Sequence, residues 1–468
     1  MTTTDRAQMG IIVLIVSIAT IGGFMFGYDS GVINGTQRGL ETAFDLGSLG
    51  LGINVASILI GSAIGAFGAG RLSDTIGRRG VMLVGAVLFF VSAIITGIAQ
   101  SSEVFILGRI IGGLGVGAAS VIAPVYISEV VPADKRGRLS SVQQVMIIVG
   151  LTGSFLANFA LARYAGGSTE EIWMGYAAWR WMFMIEAIPA LIYFLALLAI
   201  PESPRFLVIK GRNDEARRVL TRLFDAATAE RKTQEIEQSL ASDHHKPSLA
   251  DLISETTGKV RSIVWVGIGL AVFQQFVGIN VVFYYGATLW EAVGFTEDEA
   301  LLTNVLSGSL SIGACLVAIA FVDRIGRKPL LEIGSVGMAL SLATVAYAFS
   351  TGVTAGNGSL DLPGNSGLIA LIAANLYVVF FNLSWGPIMW VMLGEMFPNQ
   401  IRGSGLAVAG FAQWIANAIV SVSFPSLVEW PGLSIAYFGY AAFAVLSYFF
   451  VRASVKETKG VELEDMQG

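Results

Sequence analysis

Twelve predominantly apolar stretches of about 20 residues follow one another along the chain, and no other feature limits its fold as strongly. They lie at 9–30, 48–70, 80–98, 104–129, 139–162, 178–200, 260–291, 300–322, 329–350, 367–394, 402–424 and 431–452. A helix of this length crosses about 30 Å of hydrocarbon while bonding its own backbone, which is what a bilayer demands. With 54% hydrophobic and only 13% charged residues, the chain is too apolar for an ordinary soluble domain. A β-barrel would show alternating segments of about ten residues, and the sequence has none. The first stretch lacks a small-residue cleavage site and reads as a retained helix. The expectation is an all-α membrane protein of twelve transmembrane helices.

Lys and Arg in the short loops set the orientation. The loops after spans 2, 4, 8 and 10 carry Arg71, Arg78, Arg79, Lys135, Arg136, Arg138, Arg324, Arg327, Lys328 and Arg402, whereas the loop after span 7 is acidic (Glu291, Glu297, Asp298, Glu299). Both termini are therefore expected in the cytoplasm, in a multi-pass protein of the cytoplasmic membrane. The basic residues are spread along one membrane face rather than gathered into a patch, so the net charge of −5 does not point to nucleic acid. Cys315, the single cysteine, rules out an intramolecular disulfide, and His244 and His245 read as a solvated loop rather than a metal site. No metal or cofactor is expected, and no nucleophile–base pair suggests an enzyme.

Residues 202–259 hold 20 of the 63 formally charged side chains, which marks a polar insert dividing six spans from six. The expected division is a first six-helix bundle over 1–200, a helical cytoplasmic linker over 201–259, a second bundle over 260–453 and a tail over 454–468. Apolar residues at three- to four-residue spacing in 214–224 and 231–240 predict short amphipathic helices. The halves also repeat. GRLSDTIGRRG (70–80) is echoed by VDRIGRKP (322–329), and SEVVPADKRGRL (128–139) by GEMFPNQIRGSGL (394–406). Such a repeat predicts two bundles that face each other, bind substrate between them and rock to expose it to either side.

The paired D-x-x-G-R-[RK] loops resemble the signature of the major facilitator superfamily. FGYD (26–29), PESPR (201–205), QQFVGIN (274–280), GPIMW (386–390) and ETKG (457–460) resemble its sugar-porter family. The resemblance implies a monosaccharide substrate, with glucose the first candidate and xylose or galactose next, proton coupling and function as a monomer. It also brings Glu202, Arg205 and Glu457 into the loop networks, although KETKG here departs from the usual PETKG.

The loop charges predict a cytoplasmic gate. Asp74 and Asp323 would sit at neighbouring helix ends while Arg78, Arg79, Arg327 and Lys328 reach Glu129 and Glu395 across the bundle, with Arg138 and Arg402 alongside. The alternative is that these charges only set topology. Gly61 and Gly65, Gly108 and Gly112, and Gly113 and Gly117 have the spacing of close helix packing.

Ionisable residues inside spans mark pathways. Asp29, at the end of span 1, and Arg109, early in span 4, lie at similar depth, so a pair between them predicts a proton-coupling site; the alternative is a permanent tie between the two helices. By resemblance, an Asp in the GYD position is the symporter pattern and an Asn the uniporter pattern. Glu186 is a second buried acid, either a relay or a structural carboxyl. For a sugar, neutral amides and aromatic faces supply hydroxyl partners and a surface for the C–H face. The candidates are Gln144, Gln274, Gln275, Asn280, Trp390, Gln413, Trp414 and Asn417, with a break at Gly278 expected to turn both Gln274 and Asn280 inward. Interhelical packing is the competing use for each. By resemblance Phe24, Tyr284, Tyr285 and Asn304 line or gate the pocket, and Ser311 stands where the family often has Asn. A facilitative uniporter and a non-transporting sugar receptor remain the alternative functions.

Overall fold

The computed structural model describes residues 3–242, 249–254, 258–354, 360–398 and 401–459. His244, His245 and the side chain of Arg138 lie outside the described residues. Twelve helices are long and apolar enough to cross a membrane: Gln8–Gly35, Ser48–Ile76, Arg78–Ile98, Ser102–Val130, Ser141–Ala165, Ala178–Ala199, Ser262–Ala292, Glu297–Ile325, Arg327–Ser350, Ser366–Met396, Arg402–Glu429 and Leu433–Ser454. These are numbered spans 1 to 12. Spans 2, 4, 8 and 10 end at the basic loops, here the basic end; the other face is the acidic end.

Span 1 does not stop at residue 30. Its helix runs to Gly31 and continues as a 3-10 turn over Val32–Gly35. Asp29 is therefore inside the span, fully buried, rather than at its edge. Within the first bundle, spans 2 and 4 meet backbone to backbone: a Cβ on Gly61 or Gly65 would strike Ile110 or Leu114, and one on Gly113 or Gly117 would strike Ile58 or Ser62. The paired small residues thus do what their spacing predicts.

Span 7 is broken at Gly278, whose φ of 82° puts it in the left-handed region, so the helices Ser262–Phe276 and Ile279–Ala292 are offset. Span 10 breaks at Ser384, between Ser366–Leu383 and Trp385–Met396. Between the bundles, the insert folds as helices Pro204–Ile209, Asn213–Leu223 and Ala226–Ser242. The first starts with the Ser203 side chain accepting from Phe206 N and with Pro204 in its first turn. Two small hairpins, Glu171–Trp173 with Tyr176–Ala177 and Val353–Thr354 with Leu360–Asp361, complete the acidic end.

The apolar core shows how the halves meet. One cluster joins Val32, Phe105, Phe155 and Trp179 of the first bundle to Val281, Tyr285, Trp290 and Phe424 of the second. Nearer the basic end, the first bundle keeps its own cluster around Ile15, Met25, Phe89 and Tyr126, and Trp414 is the buried residue that the second bundle adds to it. The bundles are joined at the acidic end.

Candidate functional site

Asp29 and Arg109 are both fully buried, and the guanidinium binds the carboxylate Oδ1 and, at 3.0 Å, the Asp29 carbonyl. The Arg109 guanidinium also lies over the Phe183 ring, 5.6 Å from its centroid. Glu186 stands at the short turn interrupting span 6, is 1% exposed, and is within electrostatic range of both Asp29 and Arg109. The pair predicted between spans 1 and 4 thus exists, and the second acid joins it. Gly112 leaves room for it, since a Cβ there would come within 2.5 Å of both Asp29 Oδ2 and Ser92 Oγ.

The amides of spans 7 and 11 form a chain. Asn280 Nδ2 donates to Gln275 Oε1, Gln275 Nε2 to Gln274 Oε1 at 3.1 Å, and Gln413 Nε2 to the same Gln274 oxygen at 3.0 Å. Gln274 Nε2 in turn donates to the Trp385 carbonyl at 2.9 Å, one residue past the break in span 10. The two breaks therefore face each other with four predicted amides between them. Gln413 and Asn280 are half-buried, so the outer members of the chain are open to a ligand. Trp390 is the exposed residue of helix Trp385–Met396, beside Gly410. Asn417 reaches Tyr284 Oη at 3.5 Å, and Tyr285 Oη donates to the Ser421 carbonyl at 2.7 Å.

Other predicted residues have structural partners. Trp414 packs against Phe26 of the first bundle at 6.1 Å between centroids, which is the packing use. Phe24 is half-buried against Gly150 and Gly153 of span 5, and Gln144 is half-buried on the same span. Asn304 donates to Asn34 Oδ1 at 2.9 Å. Ser311 is buried and accepts from Asn382 Nδ2 at 3.2 Å, so it faces the inside of its own bundle.

Sequence reasoning missed Asn34 and Gln37, because both fall beyond the predicted end of span 1. Asn34 donates to the Phe283 carbonyl at 2.8 Å and accepts from Ala287 N at 2.9 Å. Gln37 bonds the Tyr284 carbonyl and the Thr288 hydroxyl. Together with Arg38–Glu291 at 3.8 Å and Arg163–Asp298 at 3.5 Å, they tie the bundles at the acidic end. The signal was present as two amides directly after an apolar run.

At the basic end each half builds the same network within itself. Arg78 Nε binds Glu129 at 3.1 Å and Arg327 Nε binds Glu395 at 2.9 Å. The backbone N–H groups of Arg78 and Arg79 donate to Glu202, and those of Arg327 and Lys328 to Glu457. Ser203 and Thr458 add hydroxyl bonds to Glu129 and Glu395. The pairs Arg78–Glu129 and Arg327–Glu395 lie across each bundle, as expected. The gate expectation needs correcting in two respects. The acids at the helix N-termini are Glu202 and Glu457, while Asp74 and Asp323 are largely exposed and pair with the arginine four residues on. Arg79, Lys328 and Arg402 donate to the backbone carbonyls of Leu197, Arg452 and Phe397 rather than reaching acids. The physical reason is that a helix N-terminus offers free N–H donors that a carboxylate satisfies directly. Part-burial works against the charge on Glu457, yet four backbone N–H donors outweigh it and hold the carboxyl below its usual range. This docking occurs although the tail lacks the proline before Glu457.

Two six-helix bundles, each with a charged loop network, enclosing broken spans lined by amides, define a transporter of the alternating two-bundle kind. The sugar (and other) transporter family profile matches residues 15–468, and the chain belongs to that family, the sugar porters of the major facilitator superfamily. It is 49% identical to the glucose transport protein of Synechocystis, covering 99% of this chain and 98% of that one. It is 38% identical to the D-xylose-proton symporter of Escherichia coli, over 96% and 94% of the two chains. The inward-open structure of the E. coli xylose transporter XylE superposes with a TM-score of 0.82 at 36% identity, covering 97% of this chain and 99% of that one.

Proposed function

We propose that this protein is a proton-coupled monosaccharide symporter, with glucose the first substrate to test and xylose or galactose next. The observation that carries the reading is the sealed trio of Asp29, Arg109 and Glu186. Two carboxyls lie within electrostatic range of one guanidinium, away from bulk solvent, and an uncompensated charge there is costly. Charge balance leaves one proton for the trio. Loading that proton would weaken the hold of Arg109 on Asp29 and so link protonation to the packing of span 1 on span 4. The relatives named as a glucose transport protein and a D-xylose-proton symporter support both parts of the reading.

In this reading the basic end and both termini face the cytoplasm, following the loop charge bias. The sugar binds at the amide chain Gln274, Gln275, Asn280 and Gln413, with Gln144, Asn417 and Trp390 around it. The joined acidic end and the likeness to an inward-open structure support reading this as a state open to the cytoplasm. The protein works as a monomer. The competing reading is a uniporter in which the Asp29–Arg109 pair, bonded through both carboxylate and carbonyl, is a fixed tie.

Proteoliposome uptake distinguishes them. With an acidified bath, labelled glucose should accumulate above equilibrium and a protonophore should abolish the excess. Asp29→Asn should lose accumulation while still exchanging labelled for unlabelled sugar. Equilibration indifferent to pH, or full accumulation by the variant, would refute the coupling.

A further inference from the structure

Inside the first bundle, and apart from Asn158 Oδ1 nearer the acidic end, the buried polar atoms of the spans without a protein partner among the described residues fall on two levels. Asp29 Oδ2, Arg109 Nε and Nη2, and Glu186 Oε1 form one; Tyr193 Oη and both amide atoms of Gln143 form the other. Tyr193 is 1% exposed and Gln143 is 5% exposed. Both press on span 1. A Cβ on Gly22 would come 2.6 Å from Tyr193 Oη, and one on Gly23 would come 2.8 Å from the Gln143 carboxamide carbon. Gly22 precedes Asp29, and Glu186 precedes Tyr193, by seven residues, so on both helices the second level lies about 10 Å nearer the basic end. Met25, fully buried, falls between the levels on span 1, and its flexible thioether is suited to yielding space.

Buried donors and acceptors are almost always satisfied, and where protein does not supply the partner, bound water does. A phenol and a carboxamide each need a partner able both to donate and to accept, as water does. We propose that a file of bound water, held by Tyr193 and Gln143, carries the proton between the Asp29–Glu186 level and the basic end, inside the first bundle and apart from the amide chain. The inference rests on the symport reading above. A carboxylic O–H breaks as a water O–H forms, and each water passes on one proton in turn, so the file is left unchanged. Sugar and proton then leave by different routes.

Two measurements test it. Hydroxyl radicals generated by X-ray radiolysis oxidise buried side chains that touch bound water. Tyr193 and Met25 should label, whereas Tyr377, which donates to the Val277 carbonyl, and the equally buried Met338 should not. Labelling no greater than in those controls overturns the water file, whatever transport shows. In the double variant Tyr193→Phe with Gln143→Leu, proton-driven uptake should fall about tenfold while sugar exchange at equal pH stays within about twofold. A wild type that moves no proton with sugar refutes symport itself. Symport in the wild type with an unimpaired double variant refutes the route alone.

Discussion

Gly112 is where a single methyl group would touch the coupling trio, because it would crowd Asp29 Oδ2 and Ser92 Oγ. Gly112→Ala is expected to displace the carboxylate from Arg109, abolish accumulation and lower stability by about 1–3 kcal/mol, as overpacking does. Gly113→Ala, one residue on, meets the backbone of Ile58 in span 2 and should cost more stability, since backbone yields less than a side chain. Thermal unfolding in detergent, read beside uptake, separates the two, and equal loss of stability with uptake retained in Gly112→Ala would contradict the assignment. At this scale the sequence was informative about which residues are ionisable in an apolar setting. The pairing of Asp29 with Arg109 followed from depth alone. The neighbourhood of Glu186 did not, because it depends on how span 6 rotates against spans 1 and 4.

At the scale of elements, two helix breaks and two helix starts do most of the positioning. Gly278 was legible as a break because only glycine takes a φ of 82° without strain. Ser384 was not legible, since its φ of −137° is open to any residue. The starts of spans 3 and 9 are capped by Glu202 and Glu457 from distant segments. The depressed Glu457 carboxyl stabilises its docked tail above the usual carboxylate pKa of about 4.3, and that contribution is lost as pH falls through the folded value. Amide protection at Arg327 and Lys328, corrected for the intrinsic exchange rate at each pH, should therefore fall as pH drops through the folded value. Glu457→Gln should give faster exchange already at neutral pH, by about tenfold, consistent with loss of a helix cap. Exchange in the variant that matches wild type at neutral pH would show that the carboxylate is not what holds the tail.

For the whole molecule, the decisive contacts are the amide ties at the acidic end. Asn34 and Gln37 hold the carbonyls of Phe283 and Tyr284, the Ala287 N–H and the side chains of Thr288 and Asn304. At about 1 kcal/mol for each net hydrogen bond, losing them shifts the balance between states by several kcal/mol. In Asn34→Ala with Gln37→Ala, spin labels at Gln100 and Asp361, on acidic-end loops of the two halves, should move apart in pulsed dipolar measurements. An unchanged distance would mean that apolar packing alone closes that end.

Hydropathy, loop charge and the internal repeat by themselves pointed to twelve spans in two bundles, because a bilayer admits few solutions for such a chain and each of these signals is local, while short motifs such as FGYD and PESPR carried the resemblance to the family. Only the tertiary structure decided which amide bonds which, that the basic-end networks stay within each half, that Glu202 and Glu457 hold the helix ends, and that Asn34 and Gln37 tie the halves at the acidic end. Those outcomes depend on helix rotation and on contacts between segments up to 381 residues apart. No periodicity along the chain encodes them, since a bilayer fixes how long a helix is but not which way it turns.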